Sequence, residues 1–184
     1  MNLIAWGTNL TMPVMPERDH IRGATCATVT LVEYGDYECT DCRHAHAVIG
    51  AIQARLQDRI CYVFRHFPVT AVHCHAQPAA EAAEAACTQR KFWPMHNLLY
   101  TTRETLTQEA LIAAADALGL NMSSFIGNLA RRTHTSRIQA DFMSGVHSGV
   151  TDTPALFING ARYNGPVAFD PLLLALSQAK DRSA

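Results

Sequence analysis

Apolar positions along the chain change period several times, and each change marks an element. Val29, Thr30, Leu31 and Val32 form an unbroken β-branched and apolar run, which predicts a strand over Ala27 to Tyr34. Beyond it, Ala45, Ile49, Ile52 and Leu56 recur at helical spacing and predict a helix from Cys39 to about Leu56. Ile60 to His66 is a second apolar run, closed by Phe67-Pro68. A strand, a helix and a strand at this spacing make a βαβ unit, so the two strands are expected to be parallel.

From His75 to about Ser144 the pattern is helical. Pro78 to Ala86 is rich in Ala and Glu, and Phe92, Trp93, Met95, His96, Leu98 and Leu99 form a short apolar helix. Thr107 opens a helix with Leu111, Ile112, Ala115 and Leu118 on one face, and Gly119 stops it. Two more helices are predicted over Met122 to Asn128 and Arg131 to Met143. Strand signals return at Ala155 to Ile158 and Ala161 to Tyr163, joined by Asn159-Gly160, a strong two-residue hairpin turn. Phe169 to Lys180 reads as a closing helix. Residues 1–22, with Pro13 and Pro16 and few periodic apolar positions, read as an extended lead-in. The expected fold is α/β: a single domain over 23–184, with a helical insertion over about 75–145.

Composition narrows the function classes. A hydrophobic fraction of 48% and a charged fraction of 17% supply a full core without disulfide staples. A formal net charge of −1 points to neither a nucleic-acid nor an anionic-membrane partner. No apolar window is long enough to span a bilayer. The first residues lack the positive and apolar regions of a secretory signal, so with Met1 as the start a cytoplasmic location is expected. Four of the six cysteines (Cys26, Cys61, Cys74 and Cys87) follow no regular framework, which fits a reducing compartment.

The remaining two stand in Cys39-Thr40-Asp41-Cys42, at the predicted strand-to-helix junction. Unpaired N–H groups in the first helical turn favour a thiolate there. Cys39 is expected to be exposed and nucleophilic, with Cys42 facing inward, the arrangement for thiol–disulfide exchange through a mixed disulfide. Cys39, Cys42, His44 and His46 are also four soft ligands. His44 points off the helix face shared by Cys42 and His46, and no distant second pair completes a structural zinc set, so no metal is expected. His73-Cys74-His75 is a second soft cluster in the loop entering the helical region, and Cys26, Cys61 and Cys87 read as small apolar fillers on strand or helix faces.

The ordered set VTLVEYGDYECTDC, YVFRHFPVT, HAQPAAEAAEAACTQRKFWPMHNLLY and GVTDTPALFINGARYNG resembles the DsbA-like branch of the thioredoxin superfamily. It is most similar to soluble DsbA-like domains, some of them fused to sodium/proton antiporters. The resemblance runs over about residues 18 to 178 and implies a thioredoxin fold with an inserted helical subdomain. It assigns Cys39 as nucleophile and Cys42 as resolving cysteine. Thr153-Pro154 matches the substrate-binding loop, in which a cis-proline faces the cysteine pair. Glu33 matches the buried acid that assists proton transfer at the inner thiol. The implied activity is dithiol–disulfide oxidoreduction, with no dissociable cofactor. Implied partners are protein or peptide thiols and disulfides, glutathione or a thioredoxin-type reductant.

The family usually carries Pro and then an aromatic residue or His between the cysteines, where this chain has Thr40 and Asp41. Asp41, with Asp36 and Glu38 close in sequence, is expected to disfavour the Cys39 thiolate and make the pair less oxidising, an effect protonated His44 and His46 would partly offset. Asp152, where a small Gly is common, adds a further acid. The rival to an enzyme is a peptide-binding or metal-binding module on the same frame with little turnover.

Overall fold

The computed structural model describes residues 6–181. Among these residues six strands form one sheet in the order β1-β6-β5-β3-β4-β2. Its centre is the predicted parallel pair, β3 (Val29–Gly35) and β4 (Ile60–His66), in register from Val29↔Ile60 to Gly35↔His66. Helix α1 (Thr40–Leu56) makes the crossover and buries Cys42, Ala45, Ile49 and Ile52, which lie on the apolar stripe seen in the sequence.

β5 (Ala155–Ile158) runs antiparallel to β3 and pairs with β6 (Ala161–Tyr163) through the Asn159-Gly160 turn. Both turn residues have positive φ, 46° and 82°, as a two-residue hairpin of matching twist requires. Between β4 and β5 lie α2 (Ala76–Cys87), α3 (Phe92–Thr101), α4 (Gln108–Ala117), α5 (Met122–Arg131) and α6 (Thr135–His147). Helix α6 sits about one turn later than its apolar pattern suggests. Arg132 adopts a left-handed conformation that ends α5, and the chain turns before Thr135. Helix α7 (Phe169–Asp181) closes the fold.

Alternation along the central strands divides the core. Leu31, Tyr62 and Phe64 face α1, α3 and the helical subdomain, whereas Val32, Tyr34, Cys61 and Val63 face the opposite layer with Phe67, Val150 and Phe157.

The lead-in supplies both edges of the sheet. β1 (Trp6–Asn9) pairs with β6, and β2 (His20–Gly23) pairs with β4. Between them the chain wraps Arg65, a fully buried arginine on β4. Arg65 Nε and Nη2 donate to the two oxygens of Asp19, each at 2.9 Å. Nη2 also donates to Pro13 O, and Nη1 to Met12 O and the Tyr34 hydroxyl. All five guanidinium N–H groups are thereby satisfied, which a buried charge requires. Arg18 bridges Asp19 and Asp141, and Arg137 bridges Asp141 and Glu84. Three arginines balance three acids along this chain, so the residues before β3 are tied to β4, α2 and α6.

Candidate active site

Cys39 is the N-cap of α1, where the chain leaves the end of β3 and its extended backbone (φ −68°, ψ 123°) lets the sulfur turn back on the first helical turn. Its Sγ accepts a hydrogen bond from Cys42 N at 3.2 Å, using a donor with no partner inside the helix. On its other side the Cys39 thiol lies 3.3 Å from Thr153 O and donates to it. Thr153-Pro154 is a cis peptide leading into β5. β5 is antiparallel to β3, so its start lies beside the end of β3, and residues far apart in sequence meet over the cysteine pair.

Cys39 and Cys42 are free thiols here. Cys42 is fully buried, as expected. Cys39 is more covered than the sequence suggests, at 8% exposure, because the Thr153-Pro154 loop lies over it, but it remains the more open of the two.

The expectation that nearby acids suppress the Cys39 thiolate is corrected. The Cys42 thiol, the Thr153 side chain and the Cys42 and Asp41 backbone N–H groups hold Cys39 down to about 6, against the burial that raises it. The carboxylates of Asp36 and Glu38 are engaged elsewhere. Asp36 accepts from Glu38 N at 2.8 Å, Val69 N at 2.8 Å and His73 Nδ1 at 2.9 Å. Glu38 pairs with the His75 ring at 2.9 Å. Asp41 is exposed, and its backbone N–H, not its charge, faces the sulfur; Thr40 beside it is also exposed. Asp152 is solvent-facing and sits 3.6 Å from Arg162. Cys42 behaves oppositely: burial, the hydrogen bond to Cys39 and the charge of Glu33 push its thiol well up. The pair thus combines an outer thiol poised to ionise with an inner one that needs help to do so.

That help is within reach. Glu33 lies on the α1 face of β3, fully buried, which resolves an orientation that strand periodicity leaves open. Burial pushes its carboxyl up to about 7, the charge of Cys39 adds to the rise, and the Tyr62 hydroxyl, donating to Oε2 at 2.6 Å, opposes it. A carboxyl titrating near neutrality beside a thiol that must lose a proton has the requirements of a general base. Tyr37 and Tyr100 complete the pocket, with ring centroids 4.8 Å apart. No sequence motif marks Tyr62 or Tyr100. The cross-strand register that sets Tyr62 opposite Leu31, on the Glu33 face, is what a sequence reading lacks.

The His73-Cys74-His75 loop packs beside the site through Asp36 and Glu38, and Cys74 is exposed with its sulfur 3.3 Å from His75 Nδ1. Cys26 is also exposed, in the turn before β3, and is not the filler its sequence suggests. His44 and His46 do not converge on the cysteines. The His44 ring meets Val167 O at 3.0 Å, and the His46 ring stacks on Tyr100, where burial lowers its pKa.

Two groups have donors suited to a cation among the described residues: His20, His66 and Glu84, and Glu38, Cys74 and His75. In the first, both rings meet one carboxylate oxygen, which also faces Arg137 at 3.9 Å. A cation there would oppose the guanidinium, so the group reads as part of the buried charge network.

Fold and site together define a DsbA-like thioredoxin-fold protein with a cysteine pair under a cis-proline loop. The chain belongs to the thioredoxin family, whose sequence profile, described as Thioredoxin, matches residues 16–178. It is 42% identical over 171 residues to the Na(+)/H(+) antiporter NhaA 3 of Salinispora tropica, covering 93% of this chain and 26% of that protein. It is also 42% identical over 156 residues to the Na(+)/H(+) antiporter NhaA of Herminiimonas arsenicoxydans, covering 85% of this chain and 25% of that one. The chain therefore spans about a quarter of the length of these curated relatives. Among solved structures, a thioredoxin-like oxidoreductase from Silicibacter pomeroyi superposes with a TM-score of 0.80 at 24% identity, over 89% of this chain and 93% of that one. BdbD from Bacillus subtilis, in its oxidised form, gives 0.81 at 20% identity over 98% and 100%. Both share the fold. No helix among the described residues is long and apolar enough to cross a membrane.

Proposed function

We propose that this chain is a dithiol–disulfide oxidoreductase acting on protein or peptide thiols and disulfides. In the reducing direction the Cys39 thiolate attacks a substrate disulfide. A Cys39–substrate S–S bond forms, the substrate S–S bond breaks, and one substrate sulfur leaves as a thiolate and takes a proton from solvent. Cys42 then gives its proton to the Glu33 carboxylate and attacks Cys39 Sγ. The Cys39–Cys42 bond forms, the mixed disulfide breaks, and the second substrate sulfur leaves and is protonated. The substrate gains two electrons and the cysteine pair loses them. In the oxidising direction the same steps run in reverse. Thr153 and Pro154 border the attacking sulfur and are the proposed contact for the substrate strand. Asp41 acts through its backbone N–H at that sulfur, and Thr40 is exposed beside it.

One observation carries this reading: Cys39 Sγ lies between Cys42 N and Thr153 O, with Cys42 and Glu33 buried beneath it. Glutathione or a thioredoxin-type dithiol is the proposed electron partner, since the mechanism needs no dissociable cofactor. We place the activity in the cytoplasm as part of the proposal, because exposed Cys26 and Cys74 suit a reducing compartment. The test is oxidation of a peptide dithiol by glutathione disulfide with and without the protein. The wild type should accelerate the reaction, and Cys39→Ser should reduce it to the uncatalysed rate. Equal rates with both proteins would leave a binding module as the better account.

A further inference from the structure

Two buried polar atoms near the cysteine pair have no hydrogen-bond partner among the described residues: Glu33 Oε1 and the Tyr100 hydroxyl. Both border the position a side chain on Gly35 would take. A Cβ there would meet Phe64 Cε2 at 2.6 Å, the Tyr100 hydroxyl at 2.8 Å and Glu33 Oε1 at 3.2 Å, so the missing side chain of Gly35 is what lets the ring edge and both polar atoms close on that position. One is an acceptor whose demand rises when the carboxyl ionises, and the other is a donor. Leaving a buried hydroxyl and a carboxylate oxygen unpaired is costly, so their convergence calls for an account.

We infer that Tyr100 is a positioning residue for Glu33: its hydroxyl, beside Gly35, donates to Oε1 of the ionised carboxylate and holds it as the base that then takes the proton from Cys42. This rests on the proposed role of Glu33 as the base for Cys42. The Tyr100 ring is fixed for the task by stacking on His46 at 5.0 Å and packing on Tyr37 at 4.8 Å. With Tyr62 already on Oε2, the ionised carboxyl would then have a donor on each oxygen.

The groups facing Glu33 come from several elements. They are Tyr62 on β4, Tyr37 in the loop before α1, Cys39 and Cys42 at its start, and Tyr100 on α3. His46 and His96 are drawn towards neutrality by burial, and Arg22 of β2 acts on both rings and on Tyr62. Burial is the largest influence on Glu33 itself, which is why one additional donor would shift its ionisation measurably.

The test uses the full chain with exposed Cys26 and Cys74 replaced by Ser. Reduced protein is mixed with the disulfide of thionitrobenzoate. The first thiol released reports attack by Cys39, and the second reports displacement by Cys42. The rate of the second release is followed against pH in the parent, Glu33→Gln and Tyr100→Phe. The parent should show a titration that Glu33→Gln abolishes and that Tyr100→Phe moves upward by about one pH unit, the scale of a hydrogen bond to a charged group. Tyr100→Phe removes a hydroxyl with no partner in this state, so the fold should tolerate it. The titration of the infrared band of the protonated Glu33 carboxyl in the reduced protein should shift in the same direction in Tyr100→Phe, without turnover. An unmoved midpoint in Tyr100→Phe, with the titration still lost in Glu33→Gln, overturns the role of Tyr100 alone. A titration that survives Glu33→Gln overturns the base assignment beneath it.

Discussion

A stabilised thiolate stabilises the reduced form and makes the disulfide more oxidising. The ordinary value for the Cys39 thiol is 9.0, and here it is held at about 6. At pH 7 that difference favours the reduced pair by about 1.4 kcal/mol, equivalent to about 30 mV for a two-electron couple. The perturbation to apply is pH. Where Cys39 is protonated, reduction takes up two protons and the potential falls by about 59 mV per unit; once Cys39 is ionised in the reduced form it takes up one, and the slope halves to about 30 mV. The break should lie near pH 6. Glu33 adds curvature, since burial raises its pKa in either state but the Cys39 thiolate adds to that rise only while the pair is reduced, and Glu33→Gln should sharpen the break. The assay equilibrates Cys26→Ser/Cys74→Ser protein in glutathione buffers from about pH 5 to about pH 9, traps free thiols by alkylation and weighs the products. A slope of about 59 mV persisting to about pH 8 would refute the reasoning, because Cys39 would then be an ordinary thiol.

Two further predictions concern stability. Arg65→Leu strips Asp19 of its bidentate partner in a buried site and should cost about 3–5 kcal/mol in chemical denaturation; a loss below about 1 kcal/mol would mean that the network does not anchor the lead-in. Glu33 has a folded pKa of about 7, above its ordinary 4.5, so the folded chain holds a proton that the unfolded chain releases between these values. Its contribution is fully present below about pH 4.5 and is lost as pH rises to about 7, a total of about 3 kcal/mol in the reduced protein. Glu33→Gln should remove that decline, and parallel stability curves for the two proteins would contradict it.

Much of this was readable in the chain because its causes are local. The run Val29 to Val32, the stripe on α1, and Asn159-Gly160 each specify an element from adjacent residues. β1 and β2 did not show because they are four-residue edge strands whose partners, β6 and β4, lie far along the chain. Within the site, the Cys39–Cys42 spacing is local, whereas the approach of Thr153 to Cys39 was expected only through family resemblance. Counting acids along the chain predicts the wrong sign for the thiolate, since Asp36 and Glu38 turn towards His73 and His75 in three dimensions. Tyr62, Tyr100 and the close approach at Gly35 depend on cross-strand register and helix packing, which no spacing in the sequence encodes.

The central claim, that Cys39 attacks and Cys42 resolves, meets its most direct test in the Cys42→Ala protein. Reduced Cys42→Ala is incubated with a disulfide-bonded peptide, and the adduct is located by peptide mass mapping. The account predicts a mixed disulfide at Cys39 that accumulates in Cys42→Ala and does not persist in the wild type. Adducts confined to the exposed Cys26 and Cys74, with Cys39 unmodified, would contradict it.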